Sequence, residues 1–495
     1  MNNYLNIAKC VSHLNSIKSE DKNKRDKSIN KLYELFTRKK GLYLKLGQFL
    51  NQHKSQVDYQ DKTSMLINEL DEESQALLNL KLQQLKLEKI SEDVILGSIG
   101  FVIKCKDSLN NTCALKLQYP RIENNIKSQF TAIEKMLLVA PRNIKQQINS
   151  SGFFSSIQED ITNELDYTRE LRNYKKMEKK CSIHVSVPKI LKGGNDFILL
   201  PWVEGETIGQ LAKQSKEVRE NISVRLMSNF HHSLFNEGFI QVDNQEDNYI
   251  FSCFDNRLTA IDLGNCIEVT KEQRVALYYI ITGLQEKKDY CLIFLLEKIG
   301  FSRDKLVHIE KLLAPLMLAI VAPYIMPMKY DLKNYDLSST VEKILGENKW
   351  WFRMAGNNEV FSLMRSFSLL IKTLSRLDTP IFFKRLLEDD LTDNFLDSVK
   401  EMEVPHSSSS LFFKNMANNL IINVLEDGEE KVHLTFPVGV LMNIEEYISE
   451  EIKEKIIDKK IDITSLITKA YEDELRPQSI LTIVDNNKEI EIKLV

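Results

Sequence analysis

The sequence contains few glycines and prolines, the residues that shape tight turns, and none of its cysteines are closely spaced. Its 495 residues include only 17 glycines and 11 prolines, which disfavours an all-β chain built from many short turns. The 7 cysteines are scattered and odd in number, with no Cys-x-x-Cys pair and no histidine pair at zinc-finger spacing. We therefore expect neither a disulfide framework nor structural zinc, and we predict a reducing, cytoplasmic compartment.

The sequence also lacks a large charge imbalance and a membrane-spanning apolar run. Its net charge of −4 gives no bulk attraction to nucleic acid, so no nucleic-acid partner is expected. The most apolar stretch, residues 312–328, contains Pro315, Pro323 and Pro327 and is shorter than the bilayer core requires. The N-terminus lacks the apolar core of a signal peptide. We expect a buried helical segment and no bilayer anchor, while peripheral contact of an amphipathic N-terminal helix with the inner membrane face stays open.

The chain does contain enough apolar material for two or three domains, since 43% of its residues are hydrophobic and 27% are charged. Apolar residues recur at helical spacing within residues 1–74. Residues 92–118 change to three short β-prone runs, separated by two glycines and by a Ser-Leu-Asn-Asn turn, which predicts a small antiparallel meander. Helices are predicted next, at about 121–140 and 155–180.

Beyond these helices the pattern becomes almost wholly helical. Residues 187–205 indicate two strands around a Gly-Gly-Asn turn, and 207–396 are helical apart from short strands near 249–251 and 258–261. After Pro405, a histidine followed by four serines is typical of a linker. The C-terminal part contains two similar hairpins, INVLEDGEEKVHLTF and LTIVDNNKEIEIKLV, with a helical stretch between them.

This order predicts an α+β chain: a protein-kinase-like bilobal fold with an N-terminal helical extension and a small C-terminal α+β domain. The predicted domains are an N-terminal helical extension (1–74), a sheet-rich N-lobe (75–205), a helical C-lobe (206–404), a linker (405–410) and a small α+β domain of unknown role (411–495). No cluster of catalytic residue types stands out in the last domain. A fold outline does not establish function, so the functional prediction depends on particular side chains.

Transfer of a phosphoryl group needs small residues near the phosphates, a lysine that holds them, and oxygen ligands for Mg²⁺. The turn Gly97-Ser98-Ile99-Gly100 lets backbone N–H groups face an anion, although a plain hairpin turn explains it better when it is taken alone. Lys116 lies in the apolar third strand, where burial is costly without an anionic partner. The alternative is an edge-strand lysine that faces solvent.

Two polar segments further along could supply the remaining groups. Asp243 and Asn248 have the separation of a kinase catalytic loop, although a plain polar loop is the alternative. Asp262 follows a short apolar strand and precedes Leu263-Gly264, which suits a metal ligand on a tight turn, although structural Asp-x-Gly turns are common. The conjunction and order of the lysine strand, the Asp-x-x-x-x-Asn loop and the Asp-Leu-Gly turn make the pattern specific.

Together these motifs resemble those of the UbiB/AarF family of atypical kinases. The similarity spans roughly residues 30–390. The segments that carry it are YLKLGQFL (43–50), LGSIGFVIKCKDSLNNTCALKLQYP (96–120), NELDYTRELRNY (163–174), GFIQVDNQEDNYIF (238–251) and AIDLGN (260–265). The resemblance implies ATP and Mg²⁺ as cofactors, atypical kinase or ATPase activity, and a link to isoprenoid quinone or lipid metabolism.

The resemblance also implies roles for single residues. Lys116 would hold the α- and β-phosphates and pair with Glu170, and Gly97, Ser98 and Gly100 would border the nucleotide. Asp243 would be the catalytic-loop aspartate, and Asn248 and Asp262 would bind Mg²⁺. Lys45, a catalytic candidate, and Gln48 would project from an extra helix toward the nucleotide pocket. Glu164 and Asp166 would be the partners of Lys45 and Gln48.

The sequence departs from the family pattern in two places. The usual His-Ala-Asp-Pro-His-Pro-Gly-Asn loop here has the sequence Gln-Val-Asp-Asn-Gln-Glu-Asp-Asn at 241–248, which keeps the aspartate and the asparagine but loses the histidines, prolines and glycine. Asp247 adds negative charge near the expected metal site. Ile95 and Leu96 replace alanines of the family's small-residue loop, and Gly97 after them permits a closer approach of the nucleotide than alanine would. These changes affect the expected turnover rate more than nucleotide binding.

The segment after Asp262 bears on the substrate. It continues almost directly into helix-prone residues 270–284, and no Ala-Pro-Glu element follows, which disfavours a peptide-docking platform. We expect ATP and a lipid or small-molecule substrate as partners, with peripheral membrane or protein partners left open. One alternative is a catalytically weak nucleotide-sensing scaffold. Another is a small-molecule kinase of the aminoglycoside phosphotransferase type, which would not explain the Lys-Leu-Gly-Gln sequence at 45–48.

Overall fold

The computed structural model describes residues 70–139, 161–180, 182–326, 328–335, 337–407, 416–459, 461–473, 475–485 and 488–495. The chain divides into two compact units. The first comprises the described residues up to Lys179 together with Ser186–Gly205 and Ile250–Cys266. The second comprises Lys180–Val185, Glu206–Tyr249 and Ile267–Val495. The predicted N-terminal extension lies outside the described residues as far as residue 69, and the five-part domain division stays a prediction.

Helices and strands follow the order that the sequence predicts. The helices are α1 (Glu72–Leu85), α2 (Ile122–Val139), α3 (Tyr167–Lys180), α4 (Ile208–Leu211), α5 (Lys216–His231), α6 (Lys271–Gln285), α7 (Leu292–Ile299), α8 (Arg303–Leu306), α9 (Glu310–Ile320), α10 (Ala322–Ile325), α11 (Leu337–Leu345), α12 (Lys349–Ala355), α13 (Asn358–Leu377), α14 (Phe383–Asp390), α15 (Asp393–Val399), α16 (Glu450–Asp458) and α17 (Ile463–Glu472). The strands are β1 (Glu88–Leu96), β2 (Gly100–Lys106), β3 (Thr112–Gln118), β4 (Lys192–Gly193), β5 (Phe197–Pro201), β6 (Glu206–Thr207), β7 (Phe239–Gln241), β8 (Tyr249–Ser252), β9 (Arg257–Ala260), β10 (Cys266–Glu268), β11 (Asn419–Glu426), β12 (Glu429–Pro437), β13 (Gln478–Asp485) and β14 (Lys488–Leu494). Shorter 3₁₀ or π-helical turns lie at His232–Glu237, Glu246–Asn248, Val307–Ile309, Leu332–Asn334, Gly346–Asn348 and Val438–Glu446.

The first unit is built on a five-stranded sheet with the order β1-β2-β3-β5-β4. The predicted meander is present as β1 to β3, and the strands predicted around the Gly-Gly-Asn turn are β4 and β5. Lys116 on β3 stands opposite Val102 on β2 and Ile198 on β5. Lys116 therefore lies on an interior strand, and the alternative of an edge-strand lysine is wrong.

The turn between β2 and β3 shows why this polar sequence reverses the chain. Asp107 Oδ1 accepts hydrogen bonds from the backbone N–H groups of Leu109 and Asn111, at 2.9 and 2.8 Å. Asn110 adopts the left-handed conformation with φ of 67°, which asparagine tolerates better than most residues. The Asp107 side chain thus accepts from backbone N–H groups that have no partner strand within the turn, and this stabilises the predicted hairpin.

The helix predicted at 155–180 is not continuous. Residues 161–165 are helical, the helix breaks at Asp166, and α3 begins at Tyr167. Asp166 Oδ1 accepts hydrogen bonds from the Thr168 hydroxyl and from the backbone N–H of Arg169, at 2.9 Å for the latter. An aspartate that caps a helix in this way ends the preceding turn, because its side chain competes with helical hydrogen bonding.

The second unit is predominantly helical, and its C-terminal part contains a second sheet. Most of the apolar stretch that includes Pro315 forms the buried helices α9 and α10, as predicted. No helix within the described ranges has both the length and the apolar character needed to cross a membrane. Both C-terminal hairpins are present and form a four-stranded sheet with the order β12-β11-β14-β13. Within this unit α17 packs against α9 and α11.

The fold of the described residues is therefore α+β and kinase-like, as the sequence predicts.

Candidate active site

Three charged groups from distant stretches of the first unit meet beside its sheet. Lys116 Nζ on β3 lies 2.8 Å from Glu170 Oε1 and 2.9 Å from Glu170 Oε2, in the first turn of α3. The same nitrogen lies 3.2 Å from Oδ2 of Asp262, which follows β9. The predicted Lys116–Glu170 ion pair is present. The direct contact of Lys116 with Asp262 was not predicted, because a separation of 146 residues leaves no local pattern.

Burial and charge together set the protonation of this cluster. The Glu170 side chain is 2% exposed, that of Lys116 20% and that of Asp262 43%. Burial opposes the charged form of Lys116, but the carboxylates of Asp262 and Glu170 outweigh it and hold the pKa of Lys116 well above its usual value. Burial raises the pKa of Glu170 to about 7, against the attraction of Lys116 and with help from Asp262. The ammonium thus stands between one buried carboxylate and one that is partly exposed.

The exposed carboxylate of this cluster fits a magnesium ion. Asp262 Oδ1 accepts a hydrogen bond of 2.9 Å from the backbone N–H of Gly264, which fixes the tight turn predicted at this position. Mg²⁺ prefers oxygen ligands and is usually bound by one or two carboxylates together with phosphate oxygens. The described residues contain no group of three or more His, Cys, Asp or Glu side chains arranged to hold a metal.

Two further side chains of α3 hold the segment that carries Asp262. Asn173 Nδ2 donates to the backbone carbonyl of Leu263 at 2.8 Å, and the Tyr174 hydroxyl donates to that of Ile261 at 2.5 Å. Both side chains are buried. The sequence prediction missed them, although their spacing from Glu170 places all three on one helical face and was a usable signal.

The glycine-rich turn lies between β1 and β2 and is closed by a hydrogen bond of 2.8 Å from the Gly97 N–H to the Gly100 carbonyl. Ser98 Oγ donates to Glu164 Oε2 at 3.2 Å. A Cβ atom at position 100 would lie 2.2 Å from the backbone oxygen of Leu117, whereas one at position 97 would lie 3.1 Å from its nearest neighbour. Close packing against β3 therefore requires glycine at position 100 but not at position 97.

The residues expected around an extra N-terminal helix are only partly described. Lys45 and Gln48 lie outside the described residues, so their pairing with Glu164 and Asp166 stays a prediction. In the structure Glu164 contacts the glycine-rich turn and Asp166 caps α3. Burial works against the charged form of Asp166, but hydrogen bonds from Thr168 and Arg169 lower its pKa below the usual value.

Asp243 and Asn248 belong to the second unit, where they are joined within one loop. Asn248 Nδ2 donates to the Asp243 backbone carbonyl at 2.9 Å and lies 3.3 Å from its Oδ2. Gln245 Nε2 donates to Asp243 Oδ1 at 2.5 Å, and Arg365 Nη2 lies 3.8 Å from the same oxygen. The predicted roles of Asp243 in catalysis and of Asn248 in Mg²⁺ binding stay predictions.

Helix α13 supports this loop, and the sequence prediction missed that support. Asn244 Nδ2 donates to Ser366 Oγ at 2.7 Å, and the Thr373 hydroxyl donates to the Asn244 carbonyl at 2.9 Å. Arg376 Nη1 lies 2.6 Å from Glu246 Oε1. Burial raises the pKa of Asp247, the neighbouring Glu246 adds to the rise, and Arg376 opposes it. Asn244 and Glu246, which differ from the family pattern, are therefore held by polar side chains of the single helix α13.

Comparisons with known proteins identify the part of the chain that contains this site. The family model for the ABC1 atypical kinase-like domain matches residues 65–294. The mitochondrial atypical kinase COQ8 of Saccharomyces cerevisiae is 23% identical over 256 residues, covering 48% of this chain and 50% of COQ8. The probable serine/threonine-protein kinase abkA of Dictyostelium discoideum is 22% identical over 275 residues, covering 49% of this chain and 47% of abkA. The chain spans about half the length of each of these curated relatives.

Among solved structures, the Rv3197–erythromycin complex from Mycobacterium tuberculosis is 19% identical, with 74% of this chain and 96% of that chain covered. The TM-score of this match is 0.49. The range that the family model matches, 65–294, includes the glycine-rich turn, Lys116, Glu170, the loop at 241–248 and Asp262. Residues 65–294 of this chain therefore match the ABC1 atypical kinase-like domain, in agreement with the family that the sequence motifs resemble.

Proposed function

We propose that this chain binds ATP with Mg²⁺ and acts as an atypical kinase or ATPase of the UbiB type. The observation that supports the proposal most strongly is the meeting of Lys116 with Glu170 and Asp262 at 2.8 and 3.2 Å. An ammonium that is oriented by a buried glutamate can hold phosphate oxygens, and an exposed carboxylate beside it can hold a divalent cation. These are the groups that phosphoryl transfer requires from a protein.

Each residue has a defined task in this proposal. Lys116 binds the α- and β-phosphates, and Glu170 holds the lysine in place. Asp262 and Asn248 hold Mg²⁺, which when bound neutralises charge on the phosphates. Asp243 orients the attacking hydroxyl or water and accepts its proton.

The proposed phosphoryl acceptor is a lipid or small molecule, in isoprenoid quinone or lipid metabolism. Helix α6 begins at Lys271 directly after β10, which leaves little chain after Asp262 for a peptide-docking segment. The alternative acceptor is a protein side chain, as the name of abkA, a probable serine/threonine-protein kinase, indicates for that relative. A cytoplasmic location, with contact to the inner membrane face, belongs to the same proposal.

A Lys116→Arg variant is expected to keep its fold and bind Mg-ADP about 10-fold more weakly. The planar guanidinium carries the same charge but cannot occupy the compact position between Glu170 and Asp262 that the ammonium fills. Isothermal titration gives the affinity, and circular dichroism checks the fold. A Lys104→Arg variant is a matched control, because Lys104 lies on the neighbouring strand β2 and pairs with the exposed Glu204 at 2.7 Å. Equal affinity of wild type and Lys116→Arg would remove Lys116 from the phosphate site.

A second candidate function is a nucleotide-sensing scaffold that turns over slowly or not at all. Asp243 Oδ1 accepts a hydrogen bond of 2.5 Å from Gln245 and lies 3.8 Å from Arg365. Both groups engage the carboxylate oxygen that would have to accept the proton, which favours this candidate. In that case nucleotide binding would change a docking surface instead of driving chemistry.

A phosphate-release assay with an Asp243→Asn variant separates these two functions. If the chain is an enzyme, the variant should lose about 100-fold in phosphate release and keep its affinity for Mg-ADP, since proton acceptance is lost but binding is not. Asp389→Asn, an exposed aspartate on α14 paired with Arg385, is the matched control. The scaffold is supported instead if wild type binds Mg-ATP but releases phosphate no faster than Asp243→Asn.

A further inference from the structure

Tyr167, the first residue of α3, carries a buried hydroxyl for which the structure offers no acceptor. The residue is 1% exposed, and its hydroxyl oxygen has no hydrogen-bond partner among the described residues. Tyr174, two turns along the same helix and also 1% exposed, donates to the Ile261 carbonyl at 2.5 Å. Buried hydroxyl groups are nearly always paired, so an orphaned one calls for an explanation.

This hydroxyl lies next to the two elements that the proposed function assigns to the phosphates. A Cβ atom at position 100 would lie 2.8 Å from the Tyr167 hydroxyl oxygen, so the end of the glycine-rich turn at Gly100 lies against it. The Lys116 ammonium lies 5.3 Å from the centroid of the Tyr167 ring. In kinases the glycine-rich turn covers the phosphates of the nucleotide. A phosphate held by Lys116 beneath this turn would therefore come close to the tyrosine.

We propose that the Tyr167 hydroxyl donates a hydrogen bond to a phosphate oxygen of the bound nucleotide, an assignment that rests on the proposed function. The ammonium brings the anion to the ring, and the hydroxyl gains the acceptor that it lacks in the chain alone. In this assignment Tyr167 contacts the phosphates, and the acceptor of its hydroxyl is an oxygen of the bound nucleotide.

The bonds that hold the turn in place are compatible with this role. They run from the Gly97 N–H to the Gly100 carbonyl at 2.8 Å, from the Tyr119 N–H to the Ile99 carbonyl at 3.0 Å and from the Ser98 hydroxyl to Glu164 at 3.2 Å. None of them involves Tyr167. A shift of the turn that admits a phosphate therefore breaks no hydrogen bond of the tyrosine.

A Tyr167→Phe variant tests the assignment through two readouts, the affinity for Mg-ADP and the stability of the ligand-free protein. Removal of the hydroxyl should weaken Mg-ADP binding about 10-fold and leave adenosine binding unchanged, because only the phosphates are contacted. The urea midpoint of the ligand-free variant should match or exceed that of wild type, since no bond is lost. Tyr174→Phe provides the comparison, and its midpoint should fall because it leaves the Ile261 carbonyl unpaired.

The other results overturn the assignment. Wild-type affinity of Tyr167→Phe for Mg-ADP would remove the phosphate contact and leave the proposed function intact. A fall in its urea midpoint equal to that of Tyr174→Phe would show that the hydroxyl has a structural partner in the ligand-free protein. Absence of Mg-ADP binding to wild type would overturn the assignment and the proposed function together.

Discussion

An Asp262→Asn variant is expected to bind Mg-ADP at least about 100-fold more weakly than wild type, or about 2.8 kcal/mol less favourably. The substitution removes the negative charge from the exposed carboxylate that stands 3.2 Å from Lys116. An amide is a poorer ligand for a hard divalent cation than a carboxylate. The fold should persist, because Lys116 keeps both contacts with Glu170. Isothermal titration with ADP at millimolar Mg²⁺ measures the loss.

Asp255→Asn is the matched control for this experiment. Asp255 also belongs to the first unit, lies between β8 and β9, and pairs with Arg257 at 2.9 Å, away from the lysine strand. Its substitution should leave the affinity for Mg-ADP unchanged. If Asp262→Asn binds Mg-ADP as tightly as Asp255→Asn does, Asp262 is not a metal ligand.

A Gly100→Ala variant is expected to lose roughly 3 kcal/mol in the free energy of unfolding. The added methyl group would lie 2.2 Å from the Leu117 backbone oxygen and 2.8 Å from the Tyr167 hydroxyl. The Leu117 oxygen belongs to the interior strand β3, which is held by hydrogen bonds on both sides and cannot move aside at low cost. Urea denaturation followed by circular dichroism measures the loss.

Gly97→Ala makes the same chemical change three residues earlier in the same turn. Its methyl group would meet nothing closer than 3.1 Å, so the free energy of unfolding should change by less than about 1 kcal/mol. Equal stability of the two variants would mean that β2 does not approach β3 as closely as described.

The sequence predicts the parts of this site that depend on local pattern. An apolar strand interrupted by Lys116 and an Asp-Leu-Gly turn at Asp262 are each visible within a few residues. The Lys116–Glu170 pair followed from the family resemblance, and the structure places the two side chains 2.8 Å apart. These elements are predictable because strand and turn formation depend mainly on neighbouring residues.

The features that the sequence could not predict depend on contacts between distant segments. The bond between Asn244 and Ser366 joins residues 122 positions apart, and neither residue type is distinctive in its own segment. The helix breaks at Asp166 because its side chain competes with the helical hydrogen bonds. The periodic apolar pattern continues across this position, so it predicted one unbroken helix. The unpaired hydroxyl of Tyr167 is a property of packing alone, which composition and spacing do not encode.

We propose that Lys116, Glu170 and Asp262 form the binding site of a nucleotide and its magnesium ion. Titration of the wild-type chain with ADP, once at millimolar Mg²⁺ and once with a chelator, tests it most directly. The claim predicts saturable binding with Mg²⁺, a rise in the unfolding temperature at saturating ligand, and much weaker binding in the chelator. No binding at millimolar Mg²⁺, or equal affinity with and without the metal, would contradict it.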